Sequence, residues 1–578
     1  MKCRDINDIK YQVGWFRKAN PLDKSIKVIG LDTEAYDTGE CFMIATSLGN
    51  VFTPDDFPTY LFSRKYRSKN FVCYNLKYDS GALLQHLPKT ALQTLQAKDK
   101  VIHQGFTYKV IANKCLIVSK GKNSIHLYDM LNFYKMSLNK ASKTFLDKEK
   151  LDMDTNIFTR EYVRRFWPKI ARYCINDAVL VQELAQNLIT IFEKFGVKPK
   201  KLYSVAYVSF QYFTAKCSHI HVKRYWKDHR HVLDYALRSY NGGKFEVTKK
   251  GSDYLYEYDI ISAYPHEISN LIDIRTVKIV QSKTYRKDAS YGFLKCKIKI
   301  PFKVSSPIAL KKGMLNIFPI GEFEKVITKT EYDYLIKYGC DITILKAYWL
   351  CTDFPTYPYR YEIQNLVKLK TKFKKAGKKL EHHTIKKFLN SFYGKFIQLI
   401  DKGKYFKAGA SFNPIYGSII TANCRTRISE LQTLYPDIIA VHTDSIISTK
   451  PIDFDTTGQL GDMIHEIEGN GLVLGSGIYQ VGNKTKLRGF QSKTPLLDLM
   501  PKKGKHWNIT KVRPYTWREI AFRNMDLDRI NRFEPIVKHI DLNFDKKRVW
   551  LDDYKTYSEV RKRKVESVPL IVDSSDTI

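Results

Sequence analysis

Residues Leu255 to Pro265 limit this chain to few folds. An apolar run (Leu255, Tyr256, Tyr258, Ile260, Ile261) reads as a buried strand, and Asp259 places a carboxylate near its end. Ser262 follows, a small hydroxyl residue, and then Tyr264, locked by Pro265. A rigid strand that delivers a carboxylate next to a loop can hold a metal ion, because the loop leaves room for a ligand. Taken alone, the stretch reads more readily as a strand running into a Tyr-Pro turn. What lies elsewhere in the chain decides between the two.

The chain has 578 residues, enough for three or four domains of about 100–200 residues each. Lys and Arg number 96 against 59 Asp and Glu, a formal charge of +37, alongside 38 Tyr and 32 Phe. That mixture suits a protein that lies along a phosphate backbone and stacks rings on bases. No apolar run of about 18 residues is present, and Met1 to Asp5 has no signal-peptide core, so no membrane partner and a cytoplasmic location are expected. The ten cysteines show no C-x-x-C spacing, which argues against a zinc module or a disulfide framework. No internal repeat is visible, and Asp573 to Ile578 reads as a polar tail.

Three acidic clusters occupy the first third. Ile26 to Glu34 is a strand candidate ending in Asp32 and Glu34, which share a face at a spacing of two. Such a pair either binds a cation or is solvated at a strand end. Phe71 to Asn75 is a second apolar run, followed by Asp79; Tyr173 and Asp177 then lie on one face of a helical pattern through Leu188. In this order, D-x-E, N-x-x-x-D and Y-x-x-x-D, the set resembles the 3′-5′ exonuclease domain of the DEDDy type, an RNase H-like fold. The resemblance implies that Asp32, Glu34, Asp79 and Asp177 hold two divalent ions about 3.5–4 Å apart. It further implies that Tyr173 orients the attacking water and that Asn75 holds a single-stranded 3′ end. Leu131, or Ser137-Leu138 a little later, stands where related polymerases grip single-stranded DNA.

Downstream, Tyr240-Asn241-Gly242-Gly243 can be a hairpin turn or a site of close backbone approach. Prolines 301, 307, 319, 355 and 358 mark loops in a mixed strand region, and a lysine-rich helix is predicted from Tyr361 to Lys379. Lys386, Asn390 and Tyr393 fall on one stripe of a further helical pattern, where a cation, an amide and a ring suit an incoming nucleotide. Asp437 to Ser448 reads as a β-hairpin with Asp444 at its tip.

The ordered set D-x-x-S-x-Y-P, K-x-x-x-N-S-x-Y-G and T-D-S resembles the palm and fingers motifs of family B DNA polymerases, and most closely the protein-primed branch of small phages and linear plasmids. It implies an α+β and α/β multidomain chain, an exonuclease domain followed by a right-hand polymerase with an insertion between palm and fingers. The implied divisions are exonuclease 1–200, linker and first palm 201–275, terminal-protein-region-like insertion and palm 276–360, fingers 361–400, palm 401–490, thumb and tail 491–578. By the same resemblance Asp259 and Asp444 are catalytic metal ligands, with two Mg²⁺ or Mn²⁺ ions per active site. Ser262, Tyr264, Lys386, Asn390 and Tyr393 bind the dNTP, with Tyr264 excluding a ribose 2′-hydroxyl, and Tyr240, Gly242, Gly243 and Tyr479 contact DNA. The implied partners are template and primer DNA, dNTPs and a separate terminal protein, the enzyme itself being a monomer.

Several positions depart from the family pattern. His442 stands where the family has an aspartate, Ala440 where it has an aromatic residue, and Ala263 where it has leucine. Gly477-Ile478-Tyr479 keeps only the tyrosine of a K-x-Y element, so Lys484 or Lys486 is the candidate substitute. Only about 45 residues separate Lys395 from His442, little room for a second terminal-protein region. Two alternatives follow: a family B enzyme extending ordinary nucleic-acid primers, and a DNA-binding derivative impaired by His442.

Overall fold

The computed structural model describes residues 5–10, 24–218, 220, 222, 226–489, 492 and 494–573. Met1 to Arg4 and the tail from Ser574 onward lie outside them. In the first third the apolar runs become a sheet of eight strands, in the order Val51–Phe52, Cys41–Thr46, Val28–Ala35, Asn70–Cys73, Asn123–Asp129, Cys115–Lys120, Phe106–Ile111, Lys100–His103. The three central strands are parallel, and such strands are buried on both faces, which is why Val28 to Leu31 and Phe71 to Cys73 read as continuous apolar runs. The helix Arg160–Lys194, kinked at Phe166 two residues before Pro168, lies against Val28–Ala35. At Gly30 a Cβ would sit 1.8 Å from the Ala178 carbonyl oxygen, so glycine lets helix and strand approach.

The second sheet holds the long strand Lys249–Ile260. Across it the order is Phe245–Val247, Ile438–His442, Ser445–Ser448, Lys249–Ile260, Met463–Gly475, Ile478–Val481, Lys484–Leu487. Register sets Asp259 opposite Ser445, one residue from the hairpin tip. Helices Ala263–Ser269 and Pro414–Leu434 cover this sheet, with Cys424 and Ile428 buried against Tyr258, Ile260 and Ile446.

Between these elements lies a separate unit. Strands Lys278–Gln281, Asp341–Cys351, Ala289–Ile300 and Ile320–Thr328, with helix Lys329–Lys337, enclose their own core around Leu294, Phe323, Leu335 and Trp349. Thr328 and Glu331 form a capping box at the start of that helix.

The predicted helix Tyr361 to Lys379 is observed as Arg360–Lys375, and after a break around Gly377 at φ 66° the further helical pattern forms Lys379–Ser391. They pack through Phe388 and Phe392 on Phe192 and Phe213, with the Phe213 and Phe392 rings stacked at 4.2 Å. The short stretch after Lys395 folds into the hairpin Leu399–Asp401 and Phe406–Ala408, which takes Ile9–Lys10 as a parallel third strand.

Residues 491–578, read from sequence as thumb and tail, divide among three places. Strands Trp507–Pro514 and Phe533–Ile540 form a long hairpin, and the segment joining them buries Trp517, Ile520 and Ile530 in the core of the first unit. Val565–Val568 returns to the Lys249–Ile260 strand, and Ile571–Val572 closes the edge of the separate unit. The chain is a mixed α/β multidomain protein. No helix among the described residues is long and apolar enough to cross a membrane.

Candidate functional sites

Two acidic cavities stand out. The first, of about 290 Å³, gathers Asp32 and Glu34 from the strand Val28–Ala35, Asp79 from helix Leu76–Leu84, and Tyr173 and Asp177 from helix Arg160–Lys194. Asn75 lines the same cavity. Its backbone is left-handed at φ 78°, and its N–H donates to Asp129 at 3.0 Å, as does that of Leu131 at 2.9 Å. Asp129 thus ties Asn75 and Leu131 together, although Leu131 does not line the cavity. Ser137 caps the next helix, Leu138–Phe145.

Burial and then Asp177 push the Asp32 carboxyl up to about 7. Burial likewise raises Glu34 and Asp79, each with Asp32 as the next cause, and burial also raises Asp177. Asp79 Oδ2 and Asp177 Oδ1 are buried with no hydrogen-bond partner, a costly state that a cation would relieve. One cation already sits there: Lys150 reaches Asp177 at 2.6 Å and lies 4.7 Å above the Tyr173 ring. Burial opposes the lysine's charge, but Asp177 and Tyr173 hold its pKa above the ordinary value. Sequence reasoning missed Lys150 because it lies outside the regular elements, ten residues ahead of this helix. Phe533, from the distant hairpin, also lines the cavity, 6.5 Å from Tyr78.

The second cavity, of about 490 Å³, holds Asp259 and Asp444 with Glu257, His442, Glu466, Tyr479, Lys484 and Lys486 on its walls. Burial and then Asp444 push the Asp259 carboxyl up to about 7; burial and Glu466 raise Asp444. Tyr479 donates to Glu257 at 3.1 Å, and Lys484 pairs with Glu257 at 3.0 Å and with Glu466. Of the two candidate lysines, Lys484 is therefore bound to the partner of Tyr479. His442 stacks on Tyr479 at 4.5 Å and meets Phe245 edge-on at 5.8 Å. Burial and then Lys547 lower its pKa to about 3, so the ring is neutral, and neither nitrogen has a protein partner.

Tyr264 packs on Tyr393 at 4.4 Å, and the Tyr393 and Tyr240 hydroxyls share a hydrogen bond of 2.9 Å. Tyr393 does not continue the α-helix of Lys386 and Asn390; the helix ends at Ser391 and Tyr393 opens a 3₁₀ turn. The predicted single stripe is therefore broken. Lys386 and Asn390 stand exposed, while Tyr393 turns inward. Lys370, one of seven lysines between 368 and 379, is the one that reaches Ser262, at 3.4 Å. Burial lowers its pKa, with Lys386 and Lys374 adding to the effect.

The linker glycines differ. A Cβ on Gly243 would lie 2.6 Å from the Thr443 side chain at the hairpin tip, whereas Gly242 has open space. Arg425, fully buried, donates to the Asn241 and Gly242 carbonyls at 2.7 and 2.9 Å and pairs with Glu331 at 2.6 Å. Its sequence offered no signal, since Arg427 stands two residues on in the same helix.

Residues 147–411 match the family model described as DNA polymerase type B, organellar and viral. Phi29 DNA polymerase complexed with primer-template DNA and incoming nucleotides is similar in structure, with a TM-score of 0.63 at 15% identity over 90% of this chain and 100% of that one. An orthorhombic crystal form of Phi29 DNA polymerase gives 0.60 at 16% over 84% and 97%. The Phi29 polymerase complex with single-stranded DNA gives 0.58 at 15% over 84% and 97%. No curated protein matches the sequence. Family pattern and fold agree: residues 147–411 carry the pattern of organellar and viral type B DNA polymerases, and the chain shares the fold of Phi29 DNA polymerase.

Proposed function

We propose that this polymerase extends a primer strand at the Asp259 and Asp444 cavity, removes mismatched 3′ ends in the Asp32, Glu34, Asp79 and Asp177 cavity, and begins synthesis on a protein primer, as for a linear viral or plasmid genome. The observation that carries the reading is Asp259, near the end of its strand, and Asp444, at the tip of the adjoining hairpin, pressed into one cavity, with Lys370, Ser262, Tyr264 and Tyr393 converging beside it. The Phi29 polymerase complexes supply the partners by analogy: primer-template DNA, incoming nucleotides and single-stranded DNA.

The donor sets suit Mg²⁺ or Mn²⁺. They are carboxylate oxygens, and Asp79 Oδ2, Asp177 Oδ1 and Glu257 Oε2 are buried without partners. Bound ions at such sites activate the attacking oxygen and neutralise charge on the leaving one. Around them the chain's own residues position substrate. Lys370 and Lys386 attract the triphosphate, Tyr264 bounds the sugar with its ring held by Tyr393, and Lys484 and Tyr479 hold the primer end. In the other cavity Tyr173 orients the attacking water under Lys150, and Asn75 holds the strand end. Protein priming is supported by the separate unit Lys278 to Cys351, which lies in the chain between the strand Lys249–Ile260 and the helix Arg360–Lys375, where a terminal-protein-region-like insertion is expected.

A primer whose 3′ nucleotide mismatches its template tests the first two activities: trimming before extension is expected, and direct extension of the mismatch would remove the nuclease role. Priming is tested by incubating the enzyme with a labelled dNTP and the product of the neighbouring reading frame. Covalent labelling of that protein supports it; labelling only of added oligonucleotide primers favours an enzyme that uses ordinary primers.

A further inference from the structure

The nuclease-like cavity contains a donor that its acids do not require. Cys174 lies between Tyr173 and Asp177 on helix Arg160–Lys194, on the same inward face as Asp177 at a spacing of three. Its side chain is fully buried, and its thiol donates to Asp32 Oδ2 at 3.5 Å. The sulfur, an Asp32 oxygen and a Glu34 oxygen all lie within 4.8 Å of one another, and no other group of three such donors is that close among the described residues. Zinc takes sulfur at about 2.3 Å and carboxylate oxygen at about 2.0–2.2 Å, so three donors this close can share one ion. A second observation points the same way. Asp79 Oδ2 and Asp177 Oδ1, each on a residue 2% exposed, are unpartnered, and both residues line this cavity. Lys150 satisfies only the other oxygen of Asp177.

We propose that Cys174 makes the nuclease site a mixed sulfur and oxygen site, one that captures a soft or borderline divalent ion, Zn²⁺ or Cd²⁺, through Cys174, Asp32 and Glu34. The inference rests on the reading of this cavity as a metal-dependent nuclease site. Mg²⁺ is hard and binds the carboxylates alone, leaving the thiol protonated. Zn²⁺ or Cd²⁺ recruits the sulfur, which forms its bond to the metal as the thiol proton passes to solvent. Among the described residues no cysteine joins such a group at Asp259 and Asp444, so the synthetic site offers a soft ion no sulfur. A soft ion therefore separates the two activities, displacing Mg²⁺ from degradation at concentrations that leave synthesis running.

The test uses the full chain freed of divalent ions and titrated with Cd²⁺, reading the ultraviolet sulfur-to-cadmium charge-transfer absorption. The wild type is expected to show a band that saturates at one ion. In Cys174→Ser and Cys174→Ala, each checked for folding by circular dichroism, that band disappears. Cd²⁺ affinity falls at least about tenfold, the lower end of what even an outer-shell change produces. The Cd²⁺ concentration that halts Mg²⁺-supported degradation rises by a similar factor. A band and an affinity unchanged in both variants would overturn the proposal, since the sulfur would then belong to another of the cysteines. Failure of the underlying reading looks different: the wild type would degrade no single strands in Mg²⁺, whatever the cadmium titration shows.

Discussion

The two acidic cavities solve one problem, crowding carboxylates around a cation, with different materials. In the first, every acid comes from one sheet and the helices packed on it, and a lysine of the same unit, Lys150, partly neutralises them. In the second, one acid comes from a strand and the other from the tip of the adjoining hairpin, but the groups beside them arrive from the Tyr240 segment, the paired helices and the turn after Ile260. The first site is thus fixed by local packing, whereas the second depends on contacts between units. Changes far from Asp259 in sequence should disturb synthesis and leave degradation alone.

The largest effect should come from the acids themselves. Asp444→Ala is expected to reduce primer extension at least about a thousandfold, a barrier rise of about 4 kcal/mol, while degradation of single strands persists. Asp32→Ala should do the reverse. Extension by Asp444→Ala near the wild-type rate would erase the comparison. Next is Gly243→Ala, whose methyl would press on Thr443 at the hairpin tip. Displacing Asp444 by a fraction of an ångström should cost extension about ten- to a hundredfold, with degradation within about twofold. Equal losses in both assays would mean that the linker serves the two sites alike.

A smaller change is expected from Tyr393→Phe, which removes the hydrogen bond to Tyr240 and keeps the ring against Tyr264. A loss of about 1 kcal/mol corresponds to a rise of about fivefold in KM for dNTP, with kcat little altered. The smallest effect is on stability. Burial first, then a neighbouring acid, raises both Asp32 and Asp259 to about 7. Between their ordinary value near 3.8 and about 7 the folded chain binds more protons than the unfolded chain, so stability falls as pH rises through that window. Without divalent ions, Tm should drop on the order of 2 °C between about pH 5 and pH 8. Mg²⁺ should restore it at the higher pH and do little at the lower. Asp32→Asn and Asp259→Asn would each remove one cavity's share, which measures how evenly the two are strained.

The sequence by itself determined the strands, the order of the acids and their pairing into two sets. Those features are local: alternation puts Asp32 and Glu34 into one cavity, and the apolar run through Ile261 forces Asp259 onto a buried strand. The ordered motifs likewise carried the resemblance to family B polymerases. Tertiary structure alone decided which cation serves which acid. Seven lysines between 368 and 379 look alike in sequence, and only the packing of two helices on Phe192 and Phe213 selects Lys370 for Ser262. Tyr393 was expected on a helical stripe, but the helix ends at Ser391 and a 3₁₀ turn aims the ring at Tyr264. His442 read as a damaged ligand, and its environment was invisible until Tyr479 and Phe245 closed on it from other strands. Lys150, Cys174 and Arg425 were hidden for the same physical reason. Periodicity reports which face of an element is apolar, but a charged or sulfur-bearing side chain takes its role from a neighbour that only long-range packing supplies.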